Sequence, residues 1–272
     1  MKRTPIAEWT KMIIKQIIYI KFICIYSTLT LFFCFLTKNN FAQTFDKCAV
    51  KNTTTFDGEK IKYKVYYTFA GIYVPAGEAT FSNKIETYKQ KTVYHLQGEG
   101  HTLSSYDWFY KVRDLYESYV DTNTMLPLFF SRKISEASTK YVEQIVFDRE
   151  ANKAMSNKKT FDVSACIQDV LSTIYFARNI DFYKIKVDEK IPFNMFLENT
   201  NYDLYIRYLG KAKLNIKGKT YNTIKFKPKL IEGTIFKGGE EMTVYVSDDK
   251  YKIPIYIETP ILVGKIKVYW IK

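Results

Sequence analysis

Histidine, cysteine, proline and glycine are all scarce in this chain of 272 residues, at two, four, seven and eleven copies. The two histidines, His95 and His101, lie in HLQGEGH, which has neither the i, i+4 spacing of a helical ligand pair nor a cysteine nearby. On a strand they would share a face yet stand about 20 Å apart at ~3.3 Å per residue, so we expect two ordinary strand histidines and no metal site. The chain has no phosphate-cradling glycine loop, no Gly-x-Ser-x-Gly elbow and no Cys-x-x-Cys, which leaves no nucleotide, acyl-transfer or dithiol signature. No Pro/Gly/Ser linker, low-complexity tract or repeat divides it. Catalytic residues: none; cofactor-binding residues: none; the protein is read as a non-enzyme.

Acidic residues are also outnumbered, 28 against 41 Lys and Arg, for a formal charge of +13. That excess would suit an anionic partner such as lipid headgroups or envelope glycans. The chain is equally rich in Lys, Asn, Ile, Tyr and Phe, the composition that an A/T-biased genome produces without selection for binding, and this plainer explanation is preferred. The longest uncharged run of the N-terminal region, FICIYSTLTLFFCFL at residues 22–36, is short of the ~20 apolar residues of a membrane span. Preceded by Lys11, Lys15 and Lys21 and followed by NNFAQ, it reads as a secretory signal peptide over residues 1–42, cut between Ala42 and Gln43. An uncleaved anchor is the alternative, and Met12 offers a second start. Export places the protein in the periplasm, with the outer membrane as the other compartment, and away from nucleic acid.

Of the four cysteines, Cys24 and Cys34 leave with that signal, and an exported chain with a single remaining pair forms a disulfide, Cys48–Cys166. By chain entropy it would contribute roughly 4–5 kcal/mol. Two unpaired buried thiols are the alternative.

Residues 43–272 read as one β-rich domain. In EKIKYKVYYTF, Ile61, Tyr63, Val65, Tyr67 and Phe69 face one way and Lys60, Lys62 and Lys64 the other, the period of a half-buried strand. The pattern recurs at Tyr202–Tyr208, Met242–Val246, Ile253–Ile257 and Ile266–Trp270, with turn signals at Gly218, Gly238–Gly239 and Asp248–Asp249. About a dozen such strands and one helix, at about 167–178, predict an all-β fold: a strongly curved, barrel-like antiparallel meander with the helix packed on it. Asn179 would stop the helix, and Arg178 would suit its negative end. Leu103–Tyr110 is expected to be a short helical or irregular element.

The best polar constellation is YDWFYKVRDLYES, holding Asp107, Trp108, Arg113, Asp114 and Glu117. Trp108, Arg113, Asp114 and Arg178 are the candidate ligand or partner contacts, Trp with Arg suiting a sugar or headgroup. The competing explanation is a structural corner in which Arg and Asp satisfy the backbone.

Several stretches together, GEKIKYKVYY at 58–67, PAGEATF at 75–81, DWFYKVRDLYESYVD at 107–121, DVLSTIYFARN at 169–179 and VSDDKYKIPIYIE at 246–258, resemble the domain-of-unknown-function 3108 family of exported bacterial proteins. The cysteine pair and the FAQ site are similar to Bacteroidetes-type members. The resemblance implies an exported β-rich protein and assigns no catalytic residue. Three roles follow: a periplasmic carrier of an apolar or amphiphilic envelope component, a structural or partner-binding envelope module without a small ligand, and a small outer-membrane β-barrel. The partner would be a lipid, a glycan or an envelope protein.

Overall fold

A computed structural model describes Cys48 and residues 51–108, 110–232 and 237–271, all within the compact unit Phe45–Lys272. The signal peptide expected over residues 1–42 lies outside the described residues.

The first half of the chain is a meander of β1 (Lys60–Phe69), β2 (Ile72–Tyr88), β3 (Lys91–Thr102), β4 (Arg113–Asp121), β5 (Pro127–Glu136), β6 (Thr139–Asp148), β7 (Lys153–Ser156) and β8 (Lys159–Asp162). The single α-helix, α1 (Val170–Asn179), follows. The second half holds β9 (Lys190–Leu197), β10 (Thr200–Ile216), β11 (Lys219–Pro228), β12 (Leu230–Glu232), β13 (Lys237–Gly239), β14 (Thr243–Ser247), β15 (Pro254–Pro260) and β16 (Lys265–Ile271). β12 and β13 form a separate hairpin. The other fourteen strands make one antiparallel sheet whose two halves are joined by β1 beside β16, with Val65 opposite Val268.

The all-β class and the curved meander are as expected, but the sheet does not close. Its order begins at β8 and ends at β9. The gap is stitched by the connecting chain: the Gln168 N–H donates to the Asn194 carbonyl at 2.9 Å, and the Phe196 N–H donates to the Gln168 carbonyl at 2.9 Å. Asn201 adds a side-chain bond to the Asp162 carbonyl.

The helix begins later than its apolar spacing suggested. Ile167 turns back onto Ser164, Gln168 makes the stitch, and Asp169 is the N-cap, its carboxylate accepting the Leu171 and Ser172 N–H groups at 2.7 Å while the Ser172 hydroxyl accepts the Asp169 N–H. That reciprocal capping box fixes the first turn. A ten-residue helix is marginal by itself, and packing supplies the remainder. Leu171 and Tyr175 enter a core with Leu96, Val120, Phe130 and Ile145, while Phe176 and Ala177 enter a second with Ile191, Ile206, Phe226 and Val244. α1 therefore sits as a wedge between the two halves of the sheet.

β1 departs from its expected alternation. Ile61 and Tyr63 are buried, but the pairing with β2 shifts between Val65 and Tyr66, and Phe69 at the strand end is exposed. The extra residue of that bulge is Ala76 on β2, while the β1 register with β16 runs unbroken from Lys62 to Thr68.

Candidate functional site

Two arginines were singled out from sequence, and the fold treats them differently. Arg178 lies inside, 3% exposed, where it forks onto Glu59: Nη2 donates to Oε1 at 2.6 Å and Nη1 to Oε2 at 2.7 Å. Its Nε and Nη2 also donate to the Tyr251 carbonyl, and the ring of Tyr175 lies beneath it. Arg178 lies in the last turn of α1, as expected, and there it forms a buried pair joining the chain before β1, the end of α1 and the turn before β15. Burial also pushes the Tyr63 and Tyr175 hydroxyls up, Tyr175 to about 12, against the downward pull of the Arg178 charge. Next to it, Asn179 Oδ1 accepts the Thr53 and Thr54 N–H groups, so the N-terminal segment is tied to the helix end.

Arg113 stands at the rim and binds its own loop. It forks onto Asp107 at 2.6 and 3.1 Å and donates to the carbonyls of Thr102 and Val112. Those hydrogen bonds hold the Asp107 carboxyl below the usual carboxylate range. Every acceptor is internal, as in the structural-corner explanation. The loop starts with a single 3₁₀ turn, Ser104–Tyr106, and carries Trp108 84% exposed.

Asp114 accepts the Ser135 N–H and faces Glu136, whose carboxyl is raised by burial and then by Asp114 itself. Glu117 lies elsewhere, on the outer face: His95 is buried between two carboxylates, Nδ1 3.1 Å from Glu86 and Nε2 3.0 Å from Glu117. His101 reaches only Glu78, at 4.0 Å. The polar cluster seen in sequence is thus divided among three places, and no group of three or more metal-ligating side chains occurs among the described residues.

Cys48 and Cys166 are joined, their Cα atoms 4.9 Å apart. The disulfide ends on the stitch, three residues before the cap.

Neither of the two best-formed clefts among the described residues reaches the size of a ligand cavity. One, of about 240 Å³, is lined by Tyr88, Leu128, Val146 and Met155 with Lys89 and Arg149, and the other, about 270 Å³, by Lys211, Asn222 and Asp248. Both fall below the ~300–1,000 Å³ usual for small-molecule sites.

The outer face carries what sequence reading missed. Lys64 lies opposite Tyr269, Tyr269 opposite Tyr256, Tyr256 opposite Tyr245, and Tyr245 opposite Lys225. Three tyrosines in register, flanked by lysines, cross five strands; adjacent rings are 4.9 and 5.8 Å apart. Each was visible as a polar-face residue of an alternating strand, but the register that aligns them was not. Two hairpin turns are also apolar: Phe69 and Ile72 at the end of β1–β2, and Leu262 and Val263 at the end of β15–β16, are exposed.

A family model described as "Protein of unknown function (DUF3108)" matches residues 62–270, and the chain belongs to that family. Among solved structures it is similar to a beta-barrel-like protein of domain of unknown function DUF1849 from Brucella abortus, with a TM-score of 0.53 and 7% identity, covering 80% of this chain and 98% of that one. At that identity the likeness concerns the fold alone. No curated protein matches the chain.

Proposed function

We propose that this DUF3108 member is an exported, non-enzymatic envelope module that works through its outer surface and carries no small ligand inside. The observation behind this is the wedge: α1 fills the space between the two sheet halves, where a carrier would keep its cavity. The candidate acids support the non-enzyme reading, since Asp107 is neutralised by Arg113 and Glu117 is engaged by His95. The disulfide is compatible with an oxidising compartment, and the periplasm is our assignment.

A membrane-spanning barrel fits less well. Spanning strands require every edge to be paired, whereas this sheet has two ends. Lys60, Lys62 and Lys64 would also face lipid from β1.

Native mass spectrometry of the detergent-free protein tests the proposal. A mass equal to the polypeptide less two hydrogens is expected. A non-covalent adduct that survives purification and disappears on denaturation would restore the carrier.

A further inference from the structure

Turns between β-strands normally carry Asn, Asp, Gly or Ser, which hydrogen-bond locally and tolerate water. Two turns of this chain keep only a glycine of that set, Gly71 and Gly264, among apolar residues. TFAGIYV joins β1 to β2, and PILVGK joins β15 to β16. Because β1 pairs with β16, Thr68 lies opposite Lys265 and the two turns are neighbours at one rim.

They are fastened together. The Tyr67 hydroxyl donates to the Val263 carbonyl at 3.2 Å. A Cβ on Gly264 would come within 2.4 Å of the Thr68 carbonyl, and its φ is +84°, so only glycine lets the second turn lie this close to β1. The result is one platform on which Phe69, Ile72, Tyr73, Leu262 and Val263 are each 48–60% exposed. Burial of five such side chains is worth far more than scattered surface apolars, and contiguous exposed patches mark interaction sites.

Behind the apolar tips the chemistry changes. Tyr66 stacks on Tyr73 at 4.8 Å and meets Tyr269 at 5.5 Å, and the Lys267 ammonium lies 6.0 Å from the Tyr73 ring. Lys265 and Lys267 share the single carboxylate of Glu258, at 3.4 and 3.6 Å, which leaves a positive surplus there. Lys265 and Tyr73 lie beside the turns, the opposed Tyr66 and Lys267 about 10 Å behind them at ~3.3 Å per residue, and Tyr269 about 17 Å behind. Aliphatic tips bordered by tyrosines and lysines suit a bilayer interface, where apolar side chains reach the acyl boundary, tyrosines sit at headgroup level and lysines meet the anionic surface.

We propose that the paired β1–β2 and β15–β16 tips dock the protein on a lipid bilayer with anionic headgroups, the tips entering the acyl boundary and Lys265 and Lys267 meeting the phosphates. This rests on the outer-surface reading above and gives it a partner. The loop with exposed Trp108 lies beside the same end of β2, its Leu103 N–H donating to the Ala76 carbonyl, and it would rest at headgroup depth.

The test is flotation of the full chain with vesicles of phosphatidylglycerol and phosphatidylcholine in equal parts, and with phosphatidylcholine alone. The wild type is expected to float with the anionic vesicles and at least tenfold less with the neutral ones. I72S/L262S, at exposed positions that leave the core untouched, is expected to lower anionic binding at least tenfold with an unchanged melting curve. K265Q/K267Q is expected to remove most of the preference for anionic lipid. Because each variant shares residues 22–36 with the wild type, the differences isolate the tips. No flotation of the wild type, or equal flotation of the tip variant, overturns the docking. Native mass spectrometry on the same preparation separates the two ideas: a bare mass without flotation defeats only the docking, whereas a retained adduct defeats the outer-surface reading beneath it.

Discussion

Glu59 and Arg178 are 119 positions apart in sequence and meet in a two-pronged contact at which both side chains are almost wholly buried, 4% and 3% exposed. Removing either partner leaves a charge with no water and no counter-ion. Arg178→Met is expected to cost about 3–5 kcal/mol, and adding Glu59→Leu to recover most of that loss. Urea denaturation of the single and double variants checks it; a double variant as unstable as the single one would rule out the uncompensated charge as the cause.

Asp169 is fully buried at the helix start, and burial raises its carboxyl to about 6 despite the bonds from Ser118, Ser172 and Leu171 that favour the anion. The folded state therefore holds this proton more tightly than the unfolded chain does. Its contribution to stability is complete below about pH 4 and is lost as pH rises through about 6. Asparagine caps as well as aspartate. We expect Asp169→Asn to flatten the pH dependence between pH 4 and 7.5 and to match or exceed the wild type at pH 7.5. Asp169→Ala should lose about 1–2 kcal/mol through the missing cap. Parallel pH profiles for wild type and Asn variant would contradict the titration.

The Glu136 carboxyl is raised by burial and by its neighbour Asp114. The sign is the same: stability is greatest below the unfolded value, near ~4.3, and falls as Glu136 ionises against Asp114. Glu136→Gln should melt no lower than the wild type at pH 7, with any advantage vanishing at pH 4. A lower melting temperature at pH 7 would show that the charge is needed there.

The Cys48–Cys166 disulfide closes a separation of 118 residues. Cys48→Ser with Cys166→Ser is expected to lower stability by about 2–5 kcal/mol in oxidising buffer and to leave it unchanged relative to wild type held in reductant. A difference that persists in reductant would point to a packing role for the sulfurs.

Strands were legible wherever one face is buried and the other wet: Tyr202 to Tyr208 alternates in sequence and in space. The helix was legible as an apolar repeat, but its start was not, because Ile167 continues the repeat while the backbone of the next residue, Gln168, stitches the sheet. The Asp169-x-x-Ser172 cap was the available signal. Glu59 was hidden by its neighbours, since GEK looks like a solvated charged turn until a partner 119 residues away is known. The tyrosine row needed strand register, which a single sequence does not carry. The apolar turns were readable, as Gly71 and Gly264 each follow apolar residues, Phe69-Ala70 and Leu262-Val263, where turn signals are usually polar.

β1 lies in the middle of the sheet, yet its partner on one side, β16, is the final strand in chain order. During synthesis β1 can pair with β2 at once and must wait for β16 with its other edge bare. Such an edge is a template for the wrong chain, and a contact of this sequence separation forms late. Lys60, Lys62 and Lys64 project from that waiting strand, and lysine is among the residues that blunt a bare edge.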